Sequence, residues 1–344
     1  MPYRRAHYYL LLLIVLTAVA FWPSYFAVLP GANIALHIHS FTASLWIALL
    51  AFQSWAIHHR HNEWHRAVGI ASLGIFPFFF AGSVLIVHTM ALNFATGDFF
   101  DSRFGSRFAA IDAVAIPGIA YLFWSGLRWR RKVHLHARYM FATVFFLFSP
   151  IFSRLFMRFV PGLQVAPPDL SRIPLNIEAA SLCALLLALA LAWRKPKHGR
   201  PWLLTAGLVG VQMMLFVSLR AFAPWDALMR DFAAIPAPVL FSVGLAAGAL
   251  ISWHGWNSIP ARARPSLEAL SGADARVPIR ITQGSPANVS FGWKADISLL
   301  RFRAVRPASR SRKCFRRSET LPPRAPDHQR TQPPTAAPEA QLVP

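Results

Sequence analysis

"SWAIHHRHNEWHRAVG", residues 54–69, sets His58, His59, His61 and His65 within eight positions. An apolar run flanks it on each side: "IALHIHSFTASLWIALLAFQ" (34–53) before it and "IASLGIFPFFFAGSVLIVHTM" (70–90) after it. Each run is close to the roughly 20 residues a helix needs to cross a hydrocarbon layer about 30 Å thick. A short polar segment between two such runs reads as a turn at a membrane surface. That reading makes the chain a membrane protein, and the rest of the sequence agrees with it.

Of the 344 residues, 55% are hydrophobic and 14% charged, whereas a soluble globular domain carries about 25% charged residues. With 28 Phe and 12 Trp, the composition suits a chain solvated by lipid. Cys183 lies in an apolar run and Cys314 in a polar tail, so no disulfide framework and no CxxC pair is present. The apolar runs predict spans near 8–29, 34–57, 67–90, 109–128, 139–160, 175–193, 202–222 and 236–255. Period-2 alternation is absent, which argues against a membrane barrel. The expected fold is therefore all-α, a polytopic transmembrane helix bundle of about eight spans occupying residues 1–258. The opening "MPYRRAHYYLLLLIVLTAVA" could be a signal peptide ending at Ala18-Val19-Ala20. The apolar run continues through Phe21, Trp22, Tyr25 and Phe26, so an uncleaved helix is expected. Cleavage would leave seven spans. Loops of some length are expected at 91–108, 161–174 and 223–235.

Net charge is +21, but its distribution matters more than its size. With the N-terminus inside, the inner turns carry thirteen Lys and Arg, among them Arg4, Arg5, Arg60, Arg130 and Lys197, against Glu63 alone. The other side balances seven arginines, among them Arg103, Arg107, Arg154, Arg158 and Arg230, with seven carboxylates. The positive-inside rule then predicts a bacterial inner-membrane protein with both termini cytoplasmic. The remaining positive charge belongs to residues 259–344, which hold 12 of the 27 prolines and no apolar periodicity. That composition predicts a low-complexity, disordered tail. Its stretch "NVSFGWKADISLL" (288–300) resembles peptides translated from intergenic repeats, as read-through sequence would. With no aromatic interleaving or recognition fold in the tail, the bilayer is the expected partner and nucleic acid is not.

Two sets of ionisable residues are candidates for chemistry. The inner set is His58, His61 and His65, joined by His134 and His136 of "KVHLHARYM" (132–140). His61 and His65 share a helical face and could hold a divalent metal through neutral imidazoles. Glu63 sits in the wrong slot for an HExxH arrangement. The competing reading is an interfacial belt of His beside Trp55 and Trp64. The outer set is His39, His88, Asp112, Arg154, Arg158 and Glu178. Ionisable groups inside a span default to functional hypotheses, and Arg154 is expected to pair with Glu178 or Asp112 and line a polar cavity. Haem ligation would draw on His39, His88, His65 and His136. His39 and His58, 19 residues apart, stand about 28 Å apart along a helix, so stacked haems would be strained.

His39, Trp46 and Gln53 recur every seven residues along one stripe. With "HRAVG" (His65 to Gly69) and "HARYM" (His136 to Met140), they make residues 34–160 resemble an uncharacterised family of bacterial multi-span inner-membrane proteins. The resemblance implies a polytopic, His-marked bundle and no assigned activity. Three functions stay open: a membrane redox or metal- or haem-binding protein using the edge histidines, a transporter or binding protein for a small molecule or ion using the outer cluster, and a membrane zinc hydrolase.

Overall fold

The computed structural model describes residues 3–166, 168–219 and 222–258. The tail expectations, and Arg220 with them, lie outside those residues. Among these described residues ten α-helices run in order: α1 (Ala6–Phe21), α2 (Ile34–His58), α3 (Asn62–Thr96), α4 (Asp101–Arg128), α5 (Val133–Ala142), α6 (Phe148–Phe159), α7 (Ile173–Arg194), α8 (Arg200–Ser218), α9 (Ala223–Ala233) and α10 (Ala237–Asn257). A 3₁₀ turn, Thr143–Leu147, joins α5 to α6, so that the pair makes one span. The all-α membrane bundle is what the apolar runs predict. Among the described residues seven segments are long and apolar enough to cross a membrane, and the first run forms a shorter apolar helix of 16 residues.

The first helix stops at Phe21 because Pro23 contributes no N–H to a continuing ladder. The chain turns through Phe26–Gly31 instead and restarts where the Asn33 carboxamide accepts from the Leu36 N–H at 2.8 Å, an N-cap for α2. Two expected loops prove to be mostly helix. Gly97, at φ +78°, ends α3, and one Asp98 carboxylate oxygen accepts from the N–H groups of Phe100 and Asp101. The connection is thus a tight turn, and α4 begins at Asp101. Residues 223–233 form α9, whose Trp225, Met229 and Phe232 fall on one helical stripe. Trp225 Nε1 donates to Ser106 O at 2.7 Å and Met229 is buried, so α9 closes one end of the bundle.

Side-chain contacts define the two ends. Trp202 Nε1 donates to the Tyr3 hydroxyl at 3.0 Å. The His7 and His59 rings stand 6.0 Å apart, those of His134 and His198 5.2 Å apart, and Arg130 lies 4.2 Å over Trp256. The start of α1, the α2–α3, α4–α5 and α7–α8 turns, and the end of α10 therefore meet at one end, the basic one. At the other end Ser106 donates to Asp226 at 2.7 Å and His88 packs edge-on against Phe232.

Aromatic side chains fill the middle. Trp46 is fully buried between Phe79, stacked at 5.7 Å, and Phe123, edge-on at 5.3 Å. Phe76 stacks on Phe123 at 4.0 Å. The Trp46 indole N–H donates to Thr143 Oγ1 at 3.0 Å, which ties α2 to the irregular turn between α5 and α6. Helix α10 lies against α3 through Gly244 and Gly248, where backbones approach closely, the usual device for joining helices in lipid.

Candidate functional site

At the end away from Arg4 and Arg5, helices α1–α4, α6 and α7 enclose a cavity of about 280 Å³. Its walls are mainly aromatic and aliphatic, and His39, Asp112 and Arg154 project into it with Ser40, Ser44 and Ser149. The periodicity explains the placement. Ser40, Ser44 and Ile47 share one stripe of α2, and Ser83, Ile86 and Met90 one stripe of α3.

Each polar group is held in place. Ser83 Oγ donates to Phe79 O at 2.9 Å, so towards His39 Nδ1, 3.5 Å away, it acts as acceptor. Arg154 donates from Nη1 to Pro150 O at 2.9 Å, and its guanidinium lies 4.3 Å over the Phe21 ring. That cation–π contact is worth about 0.5–2 kcal/mol. Tyr25, on the rim, bonds through its hydroxyl to His37 Nδ1 at 3.0 Å. Asp101 accepts from Asn93 at 2.7 Å. Among the described residues neither Asp112 nor Arg154 forms an ion pair. One carboxylate and one guanidinium thus share a cavity without an ion pair between them.

This arrangement corrects the expected pairing. Arg154 engages Phe21 and Pro150, not Glu178 or Asp112. Glu178 follows Ile177, a wall residue, and one step of 100° along α7 turns it away from the cavity towards the charge of Arg107. Arg107 itself donates from Nε to Phe216 O at 2.7 Å and stacks on that ring at 3.9 Å. Arg158, at the end of α6, lies over Phe159 and outside the cavity. His88, two residues past Ile86, faces α9, where its Nε2 is buried without a partner.

The inner histidines separate into pairs. Among the described residues no group of three His, Cys, Asp or Glu side chains could hold a metal ion, so the five-histidine set expected from the sequence does not assemble. His58 Nδ1 donates to Ser54 O at 2.7 Å. His61 stacks between Trp55 and Trp64, as in an interfacial belt. His134 stacks on His198; partial burial, then the charges of Arg138, His134, Lys197 and Lys195, hold the His198 imidazole below its ordinary pKa. His65 and His136 do meet, their rings 6.5 Å apart. The haem set of His39, His88, His65 and His136 is split between the two ends of the bundle.

Sequence reasoning misses His7, whose buried ring meets His59, and the walls that Phe21, Tyr25 and Asp101 give the cavity. Only Ser40 and Ser44, one turn apart inside an apolar span, signal a polar face there. Comparison with protein-family models, with curated proteins and with solved structures finds no match.

Proposed function

We propose that this chain is an inner-membrane binding or transport protein for a small amphipathic molecule that carries an acidic group, most simply a zwitterion with an apolar body. The observation that carries this reading is the cavity in which Arg154 and Asp112 stand without ionic partners among the described residues. Desolvated charges are costly unless paired, and a ligand anion on Arg154 with a ligand cation on Asp112 would complete both. The aromatic walls would bury the ligand's body. At about 280 Å³ the cavity stands near the lower limit of small-molecule sites, which favours a ligand of metabolite size. Charge asymmetry directs the cavity mouth to the periplasm.

Thermal shifts of the purified protein against panels of amino acids, small carboxylic acids and amines test the ligand class. A stabilising zwitterion should lose affinity at least tenfold in Arg154→Gln and in Asp112→Asn, since a hydrogen bond to a charged group is worth about 1.5–3 kcal/mol. Glu178→Gln, outside the cavity, should bind normally. A panel without a single shift, or shifts unaffected by the two cavity substitutions, would remove the proposal. Orientation is tested separately. Reporter fusions after residues 62, 133 and 198 should read as cytoplasmic and those after 98, 166 and 228 as periplasmic; any two reversed would overturn it.

A further inference from the structure

We infer that His65 and His136, with the Met140 thioether as third donor, form a site for a soft monovalent metal ion, Cu(I), at the basic end of the bundle. The inference is independent of the cavity, which lies at the other end.

The two imidazoles come from turns 71 positions apart in the chain and stand 6.5 Å apart between ring centres, with planes at 87°. With metal–nitrogen bonds of about 2.0–2.1 Å, two imidazoles on opposite sides of one ion stand about 6.3 Å apart between centres. The observed 6.5 Å between ring centres is that of two imidazoles on opposite sides of one ion, with the third donor entering from the side. Both rings are also held in the ligating tautomer. His136 Nδ1 lies 2.8 Å from Gly126 O, and His65 Nδ1 lies 3.4 Å from Gln53 O, a longer and weaker bond. A carbonyl only accepts, so each Nδ1 carries the proton and each Nε2 carries a lone pair. A backbone carbonyl on the distal ring nitrogen is the usual support for a metal-ligating histidine. A second bond fixes the backbone of His65: Gln53 Nε2 donates to its carbonyl at 3.0 Å. The other atom of that carboxamide, Oε1, is buried without a partner.

Met140 lies one turn beyond His136 on the same face of α5. Its sulfur packs directly on Gly126, the residue whose carbonyl holds His136; a side chain at position 126 would fall within 2.9 Å of that sulfur. Gly126 thus brings the thioether and the imidazole onto one patch of α4.

Donor type and charge select the ion. Two imidazoles and a thioether are neutral, and no third His, Cys, Asp or Glu joins them among the described residues. Zn²⁺ in a protein takes four ligands as a rule, and a divalent ion here would sit beside the charge of Arg130 with nothing anionic to offset it. A soft ion of single charge tolerates two or three N and S donors and adds the least repulsion.

The test is anaerobic competition for Cu(I) between bicinchoninate and the purified full-length protein. One equivalent should bind, with affinity reduced at least 100-fold in His65→Ala and in His136→Ala and about tenfold in Met140→Leu. His134→Ala and His58→Ala should bind as the unaltered chain does. Should either ligand substitution prevent folding, ¹⁵N-imidazole spectra of the unaltered protein titrated with Ag(I) give the answer: the Nε2 resonances of His65 and His136 should move much further than their Nδ1 resonances. Failure of the unaltered protein to compete for Cu(I), equal binding by His65→Ala, tighter binding of Zn²⁺ than of Cu(I), or a Soret band in place of copper would each overturn the assignment.

Discussion

Trp46→Ala lowers the unfolding free energy by about 3–5 kcal/mol, the range for deleting a large buried aromatic. The indole is fully buried, with Phe79 stacked on one face, Phe123 and Phe76 around it and Thr143 accepting from its N–H. In lipid the spans lose little by facing hydrocarbon instead of each other, so the water-transfer contribution is small. What the substitution removes is close packing, and the neighbours, drawn from α2, α3, α4 and the α5–α6 turn, cannot all collapse into the space. Trp46→Phe separates the two contributions. It keeps a ring in the stack and loses only the hydrogen bond, a cost of about 1 kcal/mol. Thr143 Oγ1 still donates to Met140 O at 2.7 Å, so its hydroxyl is not stranded. Unfolding in mixed micelles, followed by Trp fluorescence or helical dichroism, measures both. An alanine variant within about 1 kcal/mol of the unaltered protein, the size of a single hydrogen bond, would show that the aromatic centre is not what joins these helices.

The same stripe shows what is legible in the sequence. Spacing alone singles out His39, Trp46 and Gln53, and the fold gives each a different environment along α2: cavity wall, aromatic centre, and the backbone of His65. Spacing reveals that a face exists because helical geometry is local. It does not reveal what the face meets, because that depends on which helix packs there. Arg154 is an example. Its depth in the span is readable, whereas the direction of Glu178 depends on a rotation of α7 that puts Ile177 on the wall. The eight apolar runs become seven long helical spans and one shorter apolar helix, α1, which ends ahead of Pro23. The loop expected at 91–108 fails because the polar ends of α3 and α4 continue as helix up to the Gly97 turn, and that at 223–235 because an interfacial helix such as α9 is too polar to read as a span. Its periodic Trp225, Met229 and Phe232 acquire meaning only once Ser106 and His88 are beneath them. The histidine run can be placed at a membrane edge, but the partner of His65 cannot be chosen among the edge histidines without the α4–α5 turn in position.

Gly248→Leu detaches α10 from the bundle, a larger loss than Trp46→Ala brings. A β-carbon at position 248 would lie 2.6 Å from Pro77 Cα, and one at 244 would lie 3.0 Å from Ala81 Cα. Both obstacles are backbone atoms of α3, not the ends of flexible side chains. Pro77 is also part of a ring that fixes φ, so α3 cannot yield there without losing its own course. Even Gly248→Ala should cost about 1–3 kcal/mol, as overpacking does. Leucine would push the helices beyond van der Waals contact, and contact is what holds a helix pair together in hydrocarbon. Gly207 on α8 supplies the control, because nothing lies within 4 Å of the β-carbon it would gain. Gly207→Ala should be neutral or stabilising by up to about 1 kcal/mol through helix propensity, a gain that Gly248→Ala shares and still loses. Fluorescence-detected size exclusion and thermal melts of alanine and leucine variants at both positions read the contrast. Leucine at 248 should abolish the monodisperse peak while leucine at 207 preserves it. Equal behaviour of the two would mean that α10 does not depend on the Gly244 and Gly248 seam.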